Sequence, residues 1–591
     1  MSAVALAAVR TDSEVAPLLP PLVEWHGKSE SLVLDPGHPW ATPFERLRLV
    51  GTPRYEETVA WLRKLVAASP ELRLVTLGKS PEGRELWMVI ASRERAFTPQ
   101  ALKAAGKPSL LAQAGIHAGE IDGKDAGLML LRDIAVRKTK SHLLDQANLL
   151  FVPIFNVDGH ERFSSQGRIN QRGPEQSGWR TTARNLNLNR DYAKLDAPET
   201  RAIVQALALW DPALYFDLHV TDGADYQYDI TFGHTDGGFS PSIAAWLGDT
   251  LEPALTRDLE AMGHIPGPLI QLLDDKDPAK GIQDWMPTAR FSNAYGDVRH
   301  VPTLLVENHS LKPYAQRVLG TYVLLESALR TLGQQAAALR AAIAQDRGRR
   351  PATVPVDWKV ASAPTGVIED FKGIGWRVAT SAVSGATYVE WLGTKTSTRM
   401  PRTGMPVSAT VARASAYWIP PAWADVIERL EAQGIKLERT KEPRDLDVEV
   451  YRLSEPKLAT DPFEGRVQVT ARITPERRRE HYPAGAARVT TDQALGDLAA
   501  VLLEPTSPDS FFQWGFFLEV LQPTEYVEAY IMAPMAERML ADDPALKQEF
   551  EHALAADPAL AKDPKARLQW FYRRTPFADQ RFALYPVGRE R

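Results

Sequence analysis

A histidine and a glutamate lie three positions apart at the end of an apolar run. The run reads AGIHAGE over residues 114–120 and contains His117 and Glu120. Imidazole and carboxylate groups are ligands of hydrolytic zinc, which binds three protein groups and keeps a fourth position open. An H-x-x-E pair also arises often by chance as an ordinary loop pair. A metal site therefore requires a third ligand elsewhere in the chain.

Two further apolar runs end in residues that suit the same chemistry. YFDLH ends at His219, and TLLVE ends at Glu307. Neighbouring strands present their carboxyl ends at the sheet edge where α/β sheets bind ligands, so we predict His219 as the third metal ligand. A carboxylate at the end of a buried strand is costly unless it is paired or functional. We predict Glu307 as a general base that takes a proton from metal-activated water; pairing with Arg299 or Lys312 is the alternative.

The segment SGWRTTARNLNLNRDY supplies groups that could contact a substrate. It contains Arg180, Asn189 and Arg190. A guanidinium binds a carboxylate through two parallel hydrogen bonds, and a second one near a metal can stabilise the oxyanion that forms when water adds to a carbonyl. Arginines in such loops are also commonly solvated, which is the alternative interpretation.

The elements around these residues predict an α/β domain. PSLLAQAGIH and ANLLFVPIFNVDG are apolar runs separated by IDGKDAGLMLLRDIAVRK, which has helical periodicity. APETRAIVQALALW predicts a helix that leads into the strand DPALYFDLHV, and VPTLLVENHS predicts a last strand followed by a helix over 313–346. Strand, helix and strand in this order indicate a buried, mainly parallel sheet.

Composition excludes several classes of protein. The formal charge of −5 gives no basic excess for nucleic-acid binding, and the absence of cysteine excludes thiolate nucleophiles and cysteine-ligated metals. No apolar run approaches the roughly 20 residues needed to cross a bilayer. The start, MSAVALAAVR, lacks a basic residue before its apolar part and is a poor secretory signal as it stands.

Three parts are expected along the chain. Residues 1–49 are rich in proline and predict an irregular arm, 50–346 hold the α/β domain, and RGRRPATVPVDW marks a boundary. Residues 352–591 carry alternating runs with one clear helix, which predicts a β-rich α+β domain of unknown role. The aromatic stretch 509–532 is expected to lie in a core or at a domain interface rather than on a carbohydrate-binding face.

Together these motifs resemble the zinc metallocarboxypeptidases of the carboxypeptidase A-like M14 family. The resemblance covers about residues 50–335 and rests on six motifs in the family's order: GIHAGE, NVDG, WR, LNR, the strand histidine and the strand glutamate. It implies an eight-stranded mixed sheet flanked by helices, with one zinc ion per chain. It also implies the role of each residue: His117, Glu120 and His219 as metal ligands, Glu307 as base, Arg180 on the oxyanion side, and Asn189 with Arg190 as the clamp on the substrate's C-terminal carboxylate.

The chain departs from the family pattern near the substrate. Gly119 stands where well-studied digestive members carry an arginine beside the glutamate ligand. The family's mobile capping tyrosine has no clean counterpart, and Tyr295 is the nearest candidate. KGIQDW resembles the stretch that lines the specificity pocket, which makes Ile282 and Asp284 possible pocket residues.

The expected function is hydrolysis of the C-terminal peptide bond of peptides with a free carboxylate. Two alternatives remain: a zinc amidase or deacylase acting on cell-wall peptides or N-acyl amino acids, and a non-catalytic binding protein on the same scaffold. The resemblance favours export over a cytoplasmic location. The sequence indicates neither the oligomeric state nor the preferred C-terminal residue.

Overall fold

The computed structural model describes residues 18–591. The poor secretory signal at the start and the first part of the proline-rich arm lie outside these residues, and export remains a prediction. In the part of the chain that is described, no helix is long and apolar enough to span a membrane.

Ten strands lie between residues 18 and 310. They are β1 (Leu72–Lys79), β2 (Glu85–Ala91), β3 (Ser109–Ala114), β4 (Asn148–Val152), β5 (Leu214–Thr221), β6 (Ile230–Gly233), β7 (Pro266–Pro268), β8 (Gln271–Leu272), β9 (Ile282–Gln283) and β10 (Thr303–His309). Eight of them form one sheet in the order β1-β2-β4-β3-β5-β10-β6-β7. Its centre is parallel, from β4 through β3 and β5 to β10, and β1, β2 and β6 pair antiparallel. The expected eight-stranded mixed sheet is confirmed.

Helices cover both faces of this sheet. They are α1 (Pro43–Arg46), α2 (Tyr55–Ala67), α3 (Pro99–Ala105), α4 (Asp122–Ala135), α5 (Val157–Glu161), α6 (Pro198–Trp210), α7 (Pro241–Trp246), α8 (Glu252–Ala261), α9 (Ser292–Arg299), α10 (Tyr314–Gln334) and α11 (Ala336–Gly348). The single helix expected over 313–346 is therefore two helices, α10 and α11.

Alternating side chains of the central strands build two apolar cores. Leu110 and Ala112 of β3 belong to the core on one face, and Leu111 belongs to the core on the other. Helix α4 approaches the first face closely because Gly127 has no side chain: a Cβ there would lie 2.1 Å from the Phe151 ring. At the start of α4, a Cβ on Gly123 would lie 2.6 Å from Leu218 and 3.1 Å from Ala114, the last residue of β3. The first turn of α4, and hence the loop that precedes it, therefore packs against the carboxyl end of β3.

The C-terminal region contains ten strands and six helices. They are β11 (Thr353–Trp358), β12 (Gly366–Thr380), β13 (Thr387–Thr403), β14 (Val407–Ala412), β15 (Ala416–Ile419), β16 (Glu438–Arg439), β17 (Arg444–Leu458), β18 (Val469–Tyr482), β19 (Ala487–Thr490) and β20 (Gly588–Glu590), with α12 (Ala424–Ala432), α13 (Gly496–Leu503), α14 (Ala529–Asp542), α15 (Pro544–Ala556), α16 (Pro558–Lys562) and α17 (Pro564–Tyr572). The β-rich α+β character is confirmed. The helices over 529–572 are an addition that the alternating pattern did not predict.

The C-terminal region is joined to the α/β part by a shared core. The aromatic stretch contributes Phe511 and Trp514, which are fully buried in the same apolar cluster as Tyr192 of the α/β part. The expectation of a core or interface role for this stretch is thus confirmed for 511–517. The expected boundary falls between α11 and β11, and the division into separate domains stays a proposal because the two parts share this cluster.

Candidate metal centre

Three ligand-type residues meet above the carboxyl ends of the central strands. His117 and Glu120 lie in the turn between β3 and α4, and His219 lies near the end of β5. Gly115 turns the chain out of β3 with φ +70°, a left-handed conformation that glycine adopts without strain. The potential ligand atoms of the three residues lie within 4.8 Å of one another, and all three residues are buried.

The hydrogen bonds of the two imidazoles fix the direction of their lone pairs. His117 Nε2 lies 3.0 Å from Asn187 Oδ1, and His219 Nε2 lies 2.7 Å from Asp217 Oδ2. Because both partners are acceptors, each Nε2 carries hydrogen and each Nδ1 is left as an acceptor when the ring is neutral. The two Nδ1 atoms are 3.2 Å apart and each lies 3.0 Å from a Glu120 oxygen. Acceptors that converge in this way require a cation between them.

Electrostatics of the cluster support the same conclusion. Burial lowers the pKa of His117 to about 4, which keeps this ring neutral near pH 7. Burial would lower the pKa of His219 as well, but the Asp217 and Glu120 carboxylates raise it well above its usual value. Burial raises the pKa of Glu120, yet His117 and Arg168 hold it well below the usual range. The cluster therefore favours a positive charge at its centre, which a proton or a metal ion supplies.

Glu307 lies beside His219 in the neighbouring strand. The two residues are paired in register between β10 and β5, so their side chains project from the same face of the sheet. Glu307 is the only residue of β10 that is not fully buried, and its Oε2 has no hydrogen-bond partner among residues 18–591. Burial raises its pKa to about 8, with Glu120 acting in the same direction. The alternative partners are occupied: Arg299 contacts Tyr295 and Lys312 contacts Asp225.

Two arginines contact the Glu120 carboxylate. Arg180 Nη1 lies 3.2 Å from Glu120 Oε1, with its side chain 38% exposed. Arg168, which the sequence analysis did not identify, lies 3.0 Å from the same oxygen and is nearly buried. Its side chain fills the space left by Gly119, where a Cβ would lie 2.6 Å from Arg168 Cγ. A guanidinium is thus present beside the glutamate although position 119 carries no side chain.

Asn189 and Arg190 lie on a short 3₁₀ turn next to the cluster. Asn189 Nδ2 is 3.3 Å from His219 Nε2, and its Oδ1 accepts a hydrogen bond from the backbone of Ser292. The Arg190 guanidinium stacks on Phe291 at 4.1 Å and donates to a backbone carbonyl. Within residues 18–591 it forms no salt bridge. Burial, with Arg180 nearby, lowers the pKa of Arg190 to about 10, so it remains a cation at neutral pH.

Tyr295 does not lie where a substrate-capping residue would be. It is fully buried in α9, and its hydroxyl contacts Gln433 and accepts a hydrogen bond from Arg299. A side chain held from two elements in the interior cannot swing over a substrate. We therefore do not retain Tyr295 as the capping residue.

Ile282 and Asp284 belong to the contact with the C-terminal region. Ile282 is buried and pairs in register with Arg402 of β13. Asp284 Oδ1 accepts a hydrogen bond from Arg402 at 2.5 Å, and its backbone nitrogen donates to Thr403. These contacts attach β9 to the long hairpin β12–β13, and the place of both residues in a specificity pocket stays a prediction.

Asp217 and Asn187 were missed by the sequence analysis. Asp217 lies two positions before His219 and therefore on the same face of β5, so a D-x-H pattern in a strand is a signal that could have identified it. Asn187 is three residues before Arg190 in a polar loop, and nothing local distinguishes it from a solvated asparagine. Its contact with His117 spans 70 residues of sequence.

Comparisons with known proteins find similarity to carboxypeptidases. A family model described as zinc carboxypeptidase matches residues 58–235, a range that ends before Glu307. Carboxypeptidase 2 of Trichophyton rubrum is 26% identical over 481 residues, which cover 79% of this chain and 84% of that protein. Carboxypeptidase D of Rattus norvegicus is 29% identical over 160 residues, 26% of this chain and 11% of that protein. The crystal structure of carboxypeptidase A from Helicoverpa armigera matches 48% of this chain and 74% of its own, with 20% identity and a TM-score of 0.37.

A mixed sheet that presents two imidazoles and a carboxylate at its strand ends is typical of metal-dependent hydrolases. The motif order and the relatives narrow this class. Residues 58–235 are similar to the zinc carboxypeptidase family, and most of the chain is similar to carboxypeptidases, which supports a peptide hydrolase.

Proposed function

We propose that this enzyme is a zinc-dependent exopeptidase that removes the C-terminal residue of peptides, with Glu307 as general base. The observation that carries the proposal is the convergence of the two Nδ1 atoms and the Glu120 carboxylate beside a buried, unpartnered Glu307 oxygen. Two nitrogens and one carboxylate, with Nε2 held by acceptors on both rings, are the donor set that catalytic zinc takes. The residues present thus fit the ion.

Zinc held by His117, Glu120 and His219 would supply Lewis-acid activation of water and of the scissile carbonyl. Glu307, adjacent to His219, accepts the proton of the attacking water and passes it to the leaving amine. Without a metal ion, burial raises the pKa of Glu307. A cation bound beside it would lower that pKa again, so that the ionised carboxylate is available as the base. Arg180, which is partly exposed, donates to the oxygen that becomes negative as water adds.

Arg190 binds the C-terminal carboxylate of the substrate and so restricts cleavage to the last residue. It is a cation that forms no salt bridge within the described residues, and its guanidinium plane is fixed on the Phe291 ring. A substrate carboxylate is the partner that such a group lacks, because bidentate pairing would satisfy its outer donors. Asn189, anchored through Ser292, borders the same space.

The test of the base uses Glu307→Gln in the zinc-loaded protein. Metal content should stay near one ion per chain, while kcat on peptides with a free C-terminus falls about a hundredfold to ten-thousandfold. Glu199→Gln is the matched control. Glu199 is also a buried glutamate whose oxygens have no partner among residues 18–591, and burial raises its pKa to about 7, but it lies in α6 outside the cluster. Near-normal turnover by Glu307→Gln would contradict the proposed mechanism.

The test of specificity compares substrates. Peptides with a free C-terminus should be hydrolysed, and the same peptides with an amidated C-terminus should not, because Arg190 then has no carboxylate to bind. N-acyl amino acids and cell-wall peptides belong in the same panel. Faster turnover of either would favour the amidase alternative over the peptidase.

A further inference from the structure

The hairpin β17–β18 of the C-terminal region ends in a tight turn next to the metal centre. Phe463 and Arg466 exchange two backbone hydrogen bonds, so Glu464 and Gly465 form a two-residue turn. Both central residues have positive φ, +49° and +77°, as in a type I′ turn. Glycine suits the second position because of its positive φ, and an added Cβ would also approach Leu186 Cδ2 to 3.2 Å.

Glutamate is a poor residue for the first central position of this turn. Asparagine, aspartate and glycine are preferred there, because other side chains meet the backbone when φ is positive. Strained residues of this kind persist where the surrounding structure holds them, and they concentrate at functional sites. The contacts of Glu464 therefore indicate what maintains its conformation.

Glu464 holds the segment that carries the substrate clamp. Its Oε2 accepts a hydrogen bond of 2.7 Å from the backbone nitrogen of Asn187. The side chain of Asn187 in turn contacts His117 Nε2 at 3.0 Å and accepts the backbone N–H of Asn189 at 2.9 Å. One carboxylate from the C-terminal region is thus two hydrogen bonds away from a predicted metal ligand and adjoins the turn that bears Arg190.

The turn itself is fixed to the α/β part by its last residue. Arg466 forms a bidentate pair with Asp196, at 2.6 and 2.7 Å, and stacks on Phe516 at 3.6 Å. Arg429 of α12 contacts the same carboxylate. Because these contacts hold the hairpin tip in place without Glu464, loss of the Glu464 side chain should leave the tip docked.

We propose that the C-terminal region completes the active site through Glu464, a positioning residue that orients Asn187 and with it His117 and the clamp segment 187–190. The inference rests on the proposed zinc carboxypeptidase function and assigns a role to a region whose role the sequence left open. Neither the family match, which ends at residue 235, nor the sequence motifs include this residue.

The decisive variant is Glu464→Asn in the full-length protein. Asparagine suits positive φ, so the turn should be at least as stable, but its shorter side chain no longer reaches Asn187. The dissociation constant of zinc, measured by competition with a chelator, should rise by up to about tenfold. This is less than the roughly tenfold to hundredfold that loss of a direct partner of a metal-bound histidine causes, because Glu464 acts through Asn187. kcat/KM for a free-C-terminus peptide should fall in parallel, while the unfolding temperature stays equal or rises.

Glu464→Gln and Glu455→Asn serve as the comparison variants. Glutamine keeps an acceptor oxygen at the same length and should retain most of the zinc affinity. Glu455 lies in the same hairpin, also has positive φ, at +51°, and is 3.6 Å from Arg472 with both side chains well exposed. Glu455→Asn relieves the same kind of strain and should leave zinc affinity and turnover unchanged.

The outcomes separate this inference from the proposed function. A wild-type protein that neither binds zinc nor hydrolyses peptides would overturn the proposed function. A wild-type protein that does both, with a Glu464→Asn variant of unchanged zinc affinity and kcat/KM, would overturn the role of Glu464. A fall in unfolding temperature that accompanies all of the functional loss would also overturn it, because the residue would then be structural only.

Discussion

Replacement of Asp217 by asparagine should weaken zinc binding without unfolding the protein. Asp217 Oδ2 lies 2.7 Å from His219 Nε2 and accepts a hydrogen bond of 2.5 Å from Ser292, while Gln113 donates to Oδ1. The carboxylate therefore fixes the ring orientation of His219 and, through its charge, makes Nδ1 a better donor to a metal. Asp217→Asn keeps the shape and removes the charge.

The size of the effect follows from these contacts. The asparagine oxygen can take the place of Oδ2 and keep the hydrogen bonds with His219 and Ser292. The asparagine NH2 group then faces the NH2 group of Gln113, and both are donors. Gln113 can turn over, because its own oxygen has no hydrogen-bond partner in the described part of the chain. The fold should thus lose little stability. Loss of an acidic partner of a metal-bound histidine typically costs tenfold to a hundredfold in metal affinity, about 1.4 to 2.7 kcal/mol.

The assay is chelator competition for zinc, with chemical denaturation of the metal-free protein measured in parallel. Asp229→Asn is the matched control, because Asp229 forms an equivalent buried pair with His264 at 2.8 Å, away from the cluster. It should reduce stability and leave zinc affinity unchanged. A folded Asp217→Asn protein with wild-type zinc affinity, or an equal loss in Asp229→Asn, would refute the reasoning.

Two further predictions concern the surroundings of the centre. Gly119→Ala should displace Arg168 and the backbone near it, which should lower the free energy of unfolding by about 1–3 kcal/mol and weaken zinc binding. The control is Gly348→Ala, whose added Cβ meets nothing within 4 Å and which should change neither quantity. Equal effects of the two substitutions would contradict the steric argument. His160 is buried against Lys124, and burial together with the Lys124 ammonium lowers the pKa of His160 to about 4. As pH drops from 6.5 towards 4, the His160 imidazole is therefore protonated in the unfolded chain before it is protonated in the folded one, and the free energy of unfolding falls. The stability difference between wild type and His160→Gln should therefore narrow by up to about 1.4 kcal/mol per pH unit in denaturant titrations over that range; a difference independent of pH would exclude this linkage.

The sequence predicted the central geometry because that geometry follows from strand ends. His117, Glu120, His219 and Glu307 all stand where apolar runs stop, and parallel strands place such positions along one edge. The structure brings the first three within 4.8 Å and pairs Glu307 with His219 across neighbouring strands. Neither result required knowledge of contacts between distant loops.

The parts that were not predicted depend on contacts without a local pattern. Arg168 occupies space beside Gly119, and Glu464 reaches Asn187 across 277 positions of sequence. The contact between Asp284 and Arg402 was not predicted for the same reason, because Arg402 is 118 residues away in the hairpin that extends β9 into a second sheet. These long-range contacts depend on where the chain reverses and on how long each hairpin is, and no short segment of sequence determines either.

One divalent ion should bind among His117, Glu120 and His219. Anomalous diffraction at the zinc absorption edge, from crystals of the zinc-loaded protein, locates the ion directly. We predict a single strong peak about 2.0–2.1 Å from both Nδ1 atoms and at similar distance from the Glu120 carboxylate. A fully loaded protein whose anomalous peak lies elsewhere, or that shows none at these three residues, would contradict the account.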